Sequence, residues 1–183
     1  MATLISGIVV FFGIHFLPSL PLRDQLHAKL GESGYKGLFS LGALVGLVLI
    51  VLGFRAAEFV PVWDPLPFGR NLAIFSMPVI AILVIASNMP NNIKRWVRHP
   101  MLIGITLWAA VHLLANGDLA SSIIFASFLV FSILDIVLVE AGGRGKTAEA
   151  VSPIWDLATV LAGLVLYALL FGFHHHFAGM RLY

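Results

Sequence analysis

Six long apolar runs occupy almost the whole chain, and no other feature limits its fold so tightly. They cover about residues 3–20, 36–54, 72–88, 100–116, 119–139 and 154–173. A helix needs roughly 20 apolar residues to cross a hydrocarbon core about 30 Å thick, and each run approaches that length. The stretches between them are too short to build a soluble domain. The sequence therefore predicts an all-α, integral membrane six-helix bundle, with residues 1–183 forming a single transmembrane domain. Composition agrees, because charged residues make up 11% of the chain, against about 25% in a soluble domain.

The few charges are unevenly placed. With six spans, the connections at 18–35, 89–99 and 140–153, and Lys36 at a boundary, share one side. They carry Arg23, Lys29, Lys36, Lys94, Arg95, Arg98, Arg144 and Lys146, whereas the other side has only Arg55, Arg70 and Arg181. This bias in short loops places the richer side in the cytoplasm and both termini in the periplasm of a bacterial inner membrane. Met1-Ala2-Thr3-Leu4 has no positive n-region and "LPSLPLRD" no small-x-small cleavage site, so the first run reads as a retained helix. A net charge of +2 is too small to point to nucleic acid. The chain has no cysteine, which excludes disulfides, iron–sulfur clusters and thiolate-held or covalently attached haem.

Local patterns refine this outline. "PLRDQLHAKL", residues 21–30, spaces three leucines four apart and reads as a short amphipathic helix at the interface, stopped near Gly31. "VPVWDPLPFGR" contains three prolines and two aromatic side chains, Trp63 and Phe68, and reads as an interfacial loop capping one end of the bundle. Asn116-Gly117-Asp118 is strong turn chemistry, so the fourth and fifth runs should form a tight antiparallel hairpin. "AGGRGK", 141–146, reads as a flexible connection and does not complete a phosphate-binding loop. Gly37, Ser40, Gly42, Ala43, Gly46 and Gly53 give the second run a small face suited to close helix approach.

Ionisable residues inside membrane spans are costly and usually functional. Here they are His15, His112 and Asp135, with Glu140 near a boundary. His15 and His112 each lie about 12 residues into their runs, which is ~18 Å at a helical rise of 1.5 Å per residue. One imidazole from each of two facing helices would suit the two axial positions of a haem iron. Trp108 and Gly104 lie one and two steps of four before His112, and Phe11 and Gly7 stand in the same relation to His15. A small residue followed by an aromatic offers a flat ring a resting place. Two separately hydrogen-bonded histidines explain the same spacing. His99 is 13 residues from His112, about 220° around a helix, so the two do not share a face. Arg98 and His99 suit an anionic group such as a haem propionate, a lipid phosphate or a substrate carboxylate, or simple interfacial anchoring. Asp135 requires a partner or a cavity, with Ser132, a histidine or an arginine as candidates. The adjacent His174, His175 and His176 are weak evidence for a metal site.

The stretch "RHPMLIGITLWAAVHLLANGDLASSIIF" closely resembles the central motif of the NnrU family of bacterial membrane proteins, which is related to 15-cis-zeta-carotene isomerase. The resemblance continues through "HFLPSLPLRDQLHAKLGESGYKGLFSL", "VPVW" and the histidine-bearing C-terminus, and so covers most of the chain. It implies a six-helix domain with non-covalent haem b, whose ligating histidines fall on His15 and His112. Where the isomerase has a cysteine near its second ligand, this chain has Ala109, so a histidine-to-thiolate switch has no counterpart here. The family is associated with denitrification and nitric oxide metabolism.

These readings combine into a membrane protein holding haem b between His15 and His112, with Trp108 beside the second ligand. Arg98, His99 and Asn116 would support the cofactor or substrate. Its chemistry would be redox or redox-gated: electron transfer, nitrogen-oxide handling or isomerisation of a lipid-soluble polyene. Membrane lipid, a lipid-soluble substrate or a redox partner are the expected partners. "RHPML" also resembles the RHPxY element of membrane methyltransferases that bind S-adenosylmethionine, which gives a second reading. A third is a non-enzymatic partner of a membrane reductase complex.

Overall fold

A computed structural model describes residues 1–20, 22–142 and 148–179. Among these residues it is built from α-helices. Arg144 and Lys146, and so most of the "AGGRGK" connection, lie outside the described residues, as does Arg181. Contacts gather the chain into two compact units, Met1–Phe59 and Val60–Tyr183.

The first unit is a helical pair. α1 spans Ala2–Phe16 and passes into a 3₁₀ turn, Leu17–Ser19, at Pro18, where the missing N–H ends the α-helical ladder. α2 spans Leu22–Arg55 and joins the amphipathic segment to the second apolar run. Gly31 is therefore a kink rather than the expected stop. Its φ of 68° lies in the left-handed region open to glycine, and helix continues on both sides. Gly7, Gly46 and Gly53 bring the two backbones together. A Cβ on Gly46 would sit 2.7 Å from Phe11 Cα, and one on Gly7 would sit 2.6 Å from the Ile50 nitrogen. Gly37 lines no such contact.

The second unit holds α3 (Gly69–Asn88), α4 (Ile93–Trp96), α5 (Pro100–Ala115), α6 (Leu119–Ala141) and α7 (Ile154–Ala178). α5 packs against α3 and α6, and α3 also packs against α7. Proline opens α5 at its first turn, where no donor is lost. Asp118 caps α6 by accepting the Ser121 N–H at 2.9 Å. α3 ends where Met89, which precedes Pro90, turns to extended backbone. Gly179 closes α7 with φ 74°. Ala73, Ile80 and Val111 form the core between α3 and α5, with Met77, Trp108 and Ala115 against it.

The expected bundle of six becomes seven α-helices among the described residues. All six apolar runs are helical, and α4 is the addition, a single turn inside the 89–99 connection. Four helices, α2, α3, α6 and α7, are long and apolar enough to cross a membrane, whereas α1 and α5 are shorter apolar helices. The proline loop and the α5–α6 turn do clasp each other. The N–H groups of Val62 and Trp63 donate to the Gly117 carbonyl at 2.7 and 3.1 Å, Leu66 to Leu114 at 3.0 Å, and Leu119 to Val60 at 2.8 Å.

Candidate functional site: two anchored imidazoles

In the first unit, His15 is the penultimate residue of α1. Its Nδ1 lies 2.6 Å from the Phe11 carbonyl oxygen, one turn back. A carbonyl only accepts, so Nδ1 donates and the lone pair of the neutral ring belongs to Nε2. The ring packs on Phe11 at 4.2 Å between centroids and meets Phe39 of α2 edge-on at 5.2 Å.

His112 repeats this design in the second unit. It lies three residues from the end of α5, and its Nδ1 donates to the Trp108 carbonyl at 2.8 Å. Trp108 and Phe125 flank the half-buried ring, with centroids at 5.2 and 4.8 Å. Phe125 and Phe128 of α6 in turn hold the indole edge-on at 5.0 and 5.3 Å. Asn116 Nδ2 donates to the His112 carbonyl at 2.8 Å, fastening the last turn of α5 below the imidazole.

Both histidines thus stand at helix C-termini, where the partial negative charge of unpaired carbonyls favours a cation. In both, a backbone carbonyl fixes the tautomer that presents Nε2, the arrangement a metal-ligating imidazole adopts. The donors fit an iron-bearing cofactor in their chemistry. The glycines two turns back do not serve as expected. Gly7 is filled by the backbone of Leu49 and Ile50, and Gly104 faces Leu83 and Ile80 of α3, so neither offers a shelf to a flat ring.

Arg98 and His99 meet a carboxylate of the chain itself. Glu140 in the last turn of α6 receives Arg98 Nη1 at 3.0 Å and His99 Nε2 at 2.5 Å. In the sequence Glu140 stands only as a charge near a span boundary. The hairpin register supplies the pairing, since residues about equally far from Gly117-Asp118 face each other: Phe125 with His112, Ser132 with Thr106, Glu140 with His99. The Ser132 hydroxyl donates to the Leu129 carbonyl at 3.1 Å, and its oxygen lies 2.8 Å from the Thr106 hydroxyl. Asp135, half-buried, has no hydrogen-bonding partner among the described residues. The His175 and His176 rings lie 3.8 Å apart between centroids, tilted by 40°, at the end of α7. Among the described residues, no group of three or more histidines and carboxylates is assembled for a metal ion.

Apolar helices long enough to cross a bilayer, with an imidazole anchored in each unit, define a helical integral membrane protein with two candidate ligand histidines. The chain belongs to the NnrU family, whose model, described as NnrU protein, matches residues 3–182. No curated protein and no solved structure matches it.

Proposed function

We propose that this protein is a haem b protein of the bacterial inner membrane, in which the imidazoles of His15 and His112 would hold the iron. The observation that carries the reading is the repeated local design: Nδ1 donating to the carbonyl one turn back, an aromatic residue at that position, and a helix C-terminus beneath. Bound there, such a group would supply single-electron exchange. The chain's own residues would bind and orient it, with Phe11 and Phe39 packed on one imidazole and Trp108 and Phe125 on the other. Asn116 would position His112 by holding its backbone. Family membership supports a role in nitrogen-oxide metabolism, and isomerisation of a lipid-soluble polyene is the alternative outlet for the same redox chemistry. The charge bias of the connections supports periplasmic termini.

The test is an optical spectrum of the purified protein. A Soret band with sharp α and β bands on reduction is expected, and His15→Ala or His112→Ala should convert it to a spectrum lacking one ligand. If both substitutions leave the bands intact, the ligand assignment is wrong.

The meeting of Arg98 and His99 with Glu140 favours a second reading, because the methyltransferases that "RHPML" resembles carry an acidic motif further along the chain. S-adenosylmethionine binding by haem-free protein, lost in Glu140→Gln, would select it.

A further inference from the structure

The connection between α3 and α5 is held by hydrogen bonds, yet it presents Arg95 and Trp96 outward, with Lys94 half-buried beside them. Two asparagines fix its course. Asn91, 2% exposed, donates to the carbonyls of Ala86 and Met89 at 2.7 Å each, and its Oδ1 accepts the Lys94 N–H at 3.1 Å. Asn92 ties the connection to α7 and the segment before it. Its N–H and Nδ2 donate to the Asp156 carboxylate at 2.6 and 2.8 Å, Nδ2 also reaches the Val151 carbonyl, and Oδ1 accepts the Val151 N–H. Two nearby carboxylates are thereby engaged, Asp156 by Asn92 and Glu140 by Arg98 and His99. Among the described residues, neither Lys94 nor Arg95 has a carboxylate partner; Lys94 Nζ reaches only the Ser87 carbonyl, at 3.4 Å.

On this frame stands Trp96, 86% exposed, more than any other large apolar side chain described. The segment joins the end of one apolar helix to the start of the next, which places it at a membrane surface. There an indole lies among headgroups and upper acyl carbons, and unpaired cations are attracted to anionic lipid. We propose that Lys94, Arg95 and Trp96 form a binding site for the headgroup of an anionic phospholipid. The two cations take the phosphate, and the indole covers the glycerol and first acyl carbons. This inference is independent of any haem.

The test uses the full chain in phosphatidylcholine vesicles containing brominated phosphatidylglycerol or brominated phosphatidylcholine. The Trp96 contribution is the fluorescence difference between the protein and Trp96→Phe. Brominated phosphatidylglycerol should quench it at a mole fraction about 25-fold lower than brominated phosphatidylcholine, about fivefold for each of the two charges. Each removed charge should weaken that preference about fivefold, so R95Q reduces it and K94Q/R95Q abolishes it. Equal quenching by the two lipids, or a preference that survives K94Q/R95Q, overturns the proposal. So does a preference erased by millimolar inorganic phosphate at constant ionic strength, which would assign the site to a soluble anion.

Discussion

The packing of α1 on α2 makes a sharp prediction, because it joins the fold to His15 through one residue. Phe11 supplies the carbonyl that anchors the imidazole, and its backbone rests on Gly46. An alanine Cβ at position 46 would lie 2.7 Å from both Phe11 Cα and Phe11 N, and 2.8 Å from Phe11 Cβ. Carbon atoms prefer about 3.5–4.0 Å, so the helices must part by roughly 1 Å at this point. Backbone cannot rotate away as a side chain does. Overpacking of this kind costs about 1–3 kcal/mol, while alanine returns up to about 1 kcal/mol in helix propensity. Gly46→Ala should therefore destabilise the protein by up to about 2 kcal/mol on balance. Gly13 is the control: its Cβ meets nothing within 4 Å, so Gly13→Ala keeps the propensity gain alone. Unfolding in mixed micelles would compare the two. The substitutions should shift stability in opposite directions, and only Gly46→Ala should disturb the His15 ring signals. If Gly46→Ala is as stable as Gly13→Ala, the close approach is not what holds the pair together.

Two more outcomes are expected in the second unit. A Cβ on Gly117 would fall on the Trp63 carbonyl oxygen, so Gly117→Ala should release the Val62 and Trp63 amides from Gly117. Losing two such bonds costs about 1–3 kcal/mol, and faster hydrogen exchange confined to residues 60–66 and 114–119 would report it. Thr159 is fully buried, with no partner for Oγ1 among the described residues, so Thr159→Val, equal in shape and free of the orphan hydroxyl, should raise stability by about 1 kcal/mol in the same unfolding assay.

What the sequence disclosed and what it concealed divide along physical lines. Apolar length and turn chemistry are local properties, so the helical runs, the Asn116-Gly117-Asp118 hairpin and the loop around Pro61 are all legible. Gly31 misleads because glycine ends a helix or kinks one with the same φ, and the residues C-terminal to it decide between them. Here α2 resumes and carries the chain into an apolar run. The glycines at 7 and 104 mislead for a related reason. A missing Cβ marks close approach without saying what approaches, and the neighbour is a helix in both cases. Glu140 is visible in the sequence only as a charge. Its pairing with Arg98 and His99 depends on hairpin register, which the turn fixes but which composition does not display.

The tautomer of the two histidines can be settled without any cofactor, and it bears directly on their proposed role. The acceptors are the backbone carbonyls of Phe11 and Trp108, at 2.6 and 2.8 Å. No side-chain substitution deletes a backbone carbonyl, so Phe11→Ala and Trp108→Ala should strip the rings of their aromatic neighbours yet leave the proton on Nδ1. Nitrogen-15 spectra of histidine-labelled, haem-free protein should show Nδ1–H with Nε2 unprotonated for both residues, in the parent and in both variants. An imidazole already in that state can offer Nε2 to iron without first moving a proton. If either ring carries its proton on Nε2 in the parent protein, the carbonyl anchor is absent in solution. That histidine would then have to exchange partners before it could ligate a metal, and the shared design would no longer argue for a shared function.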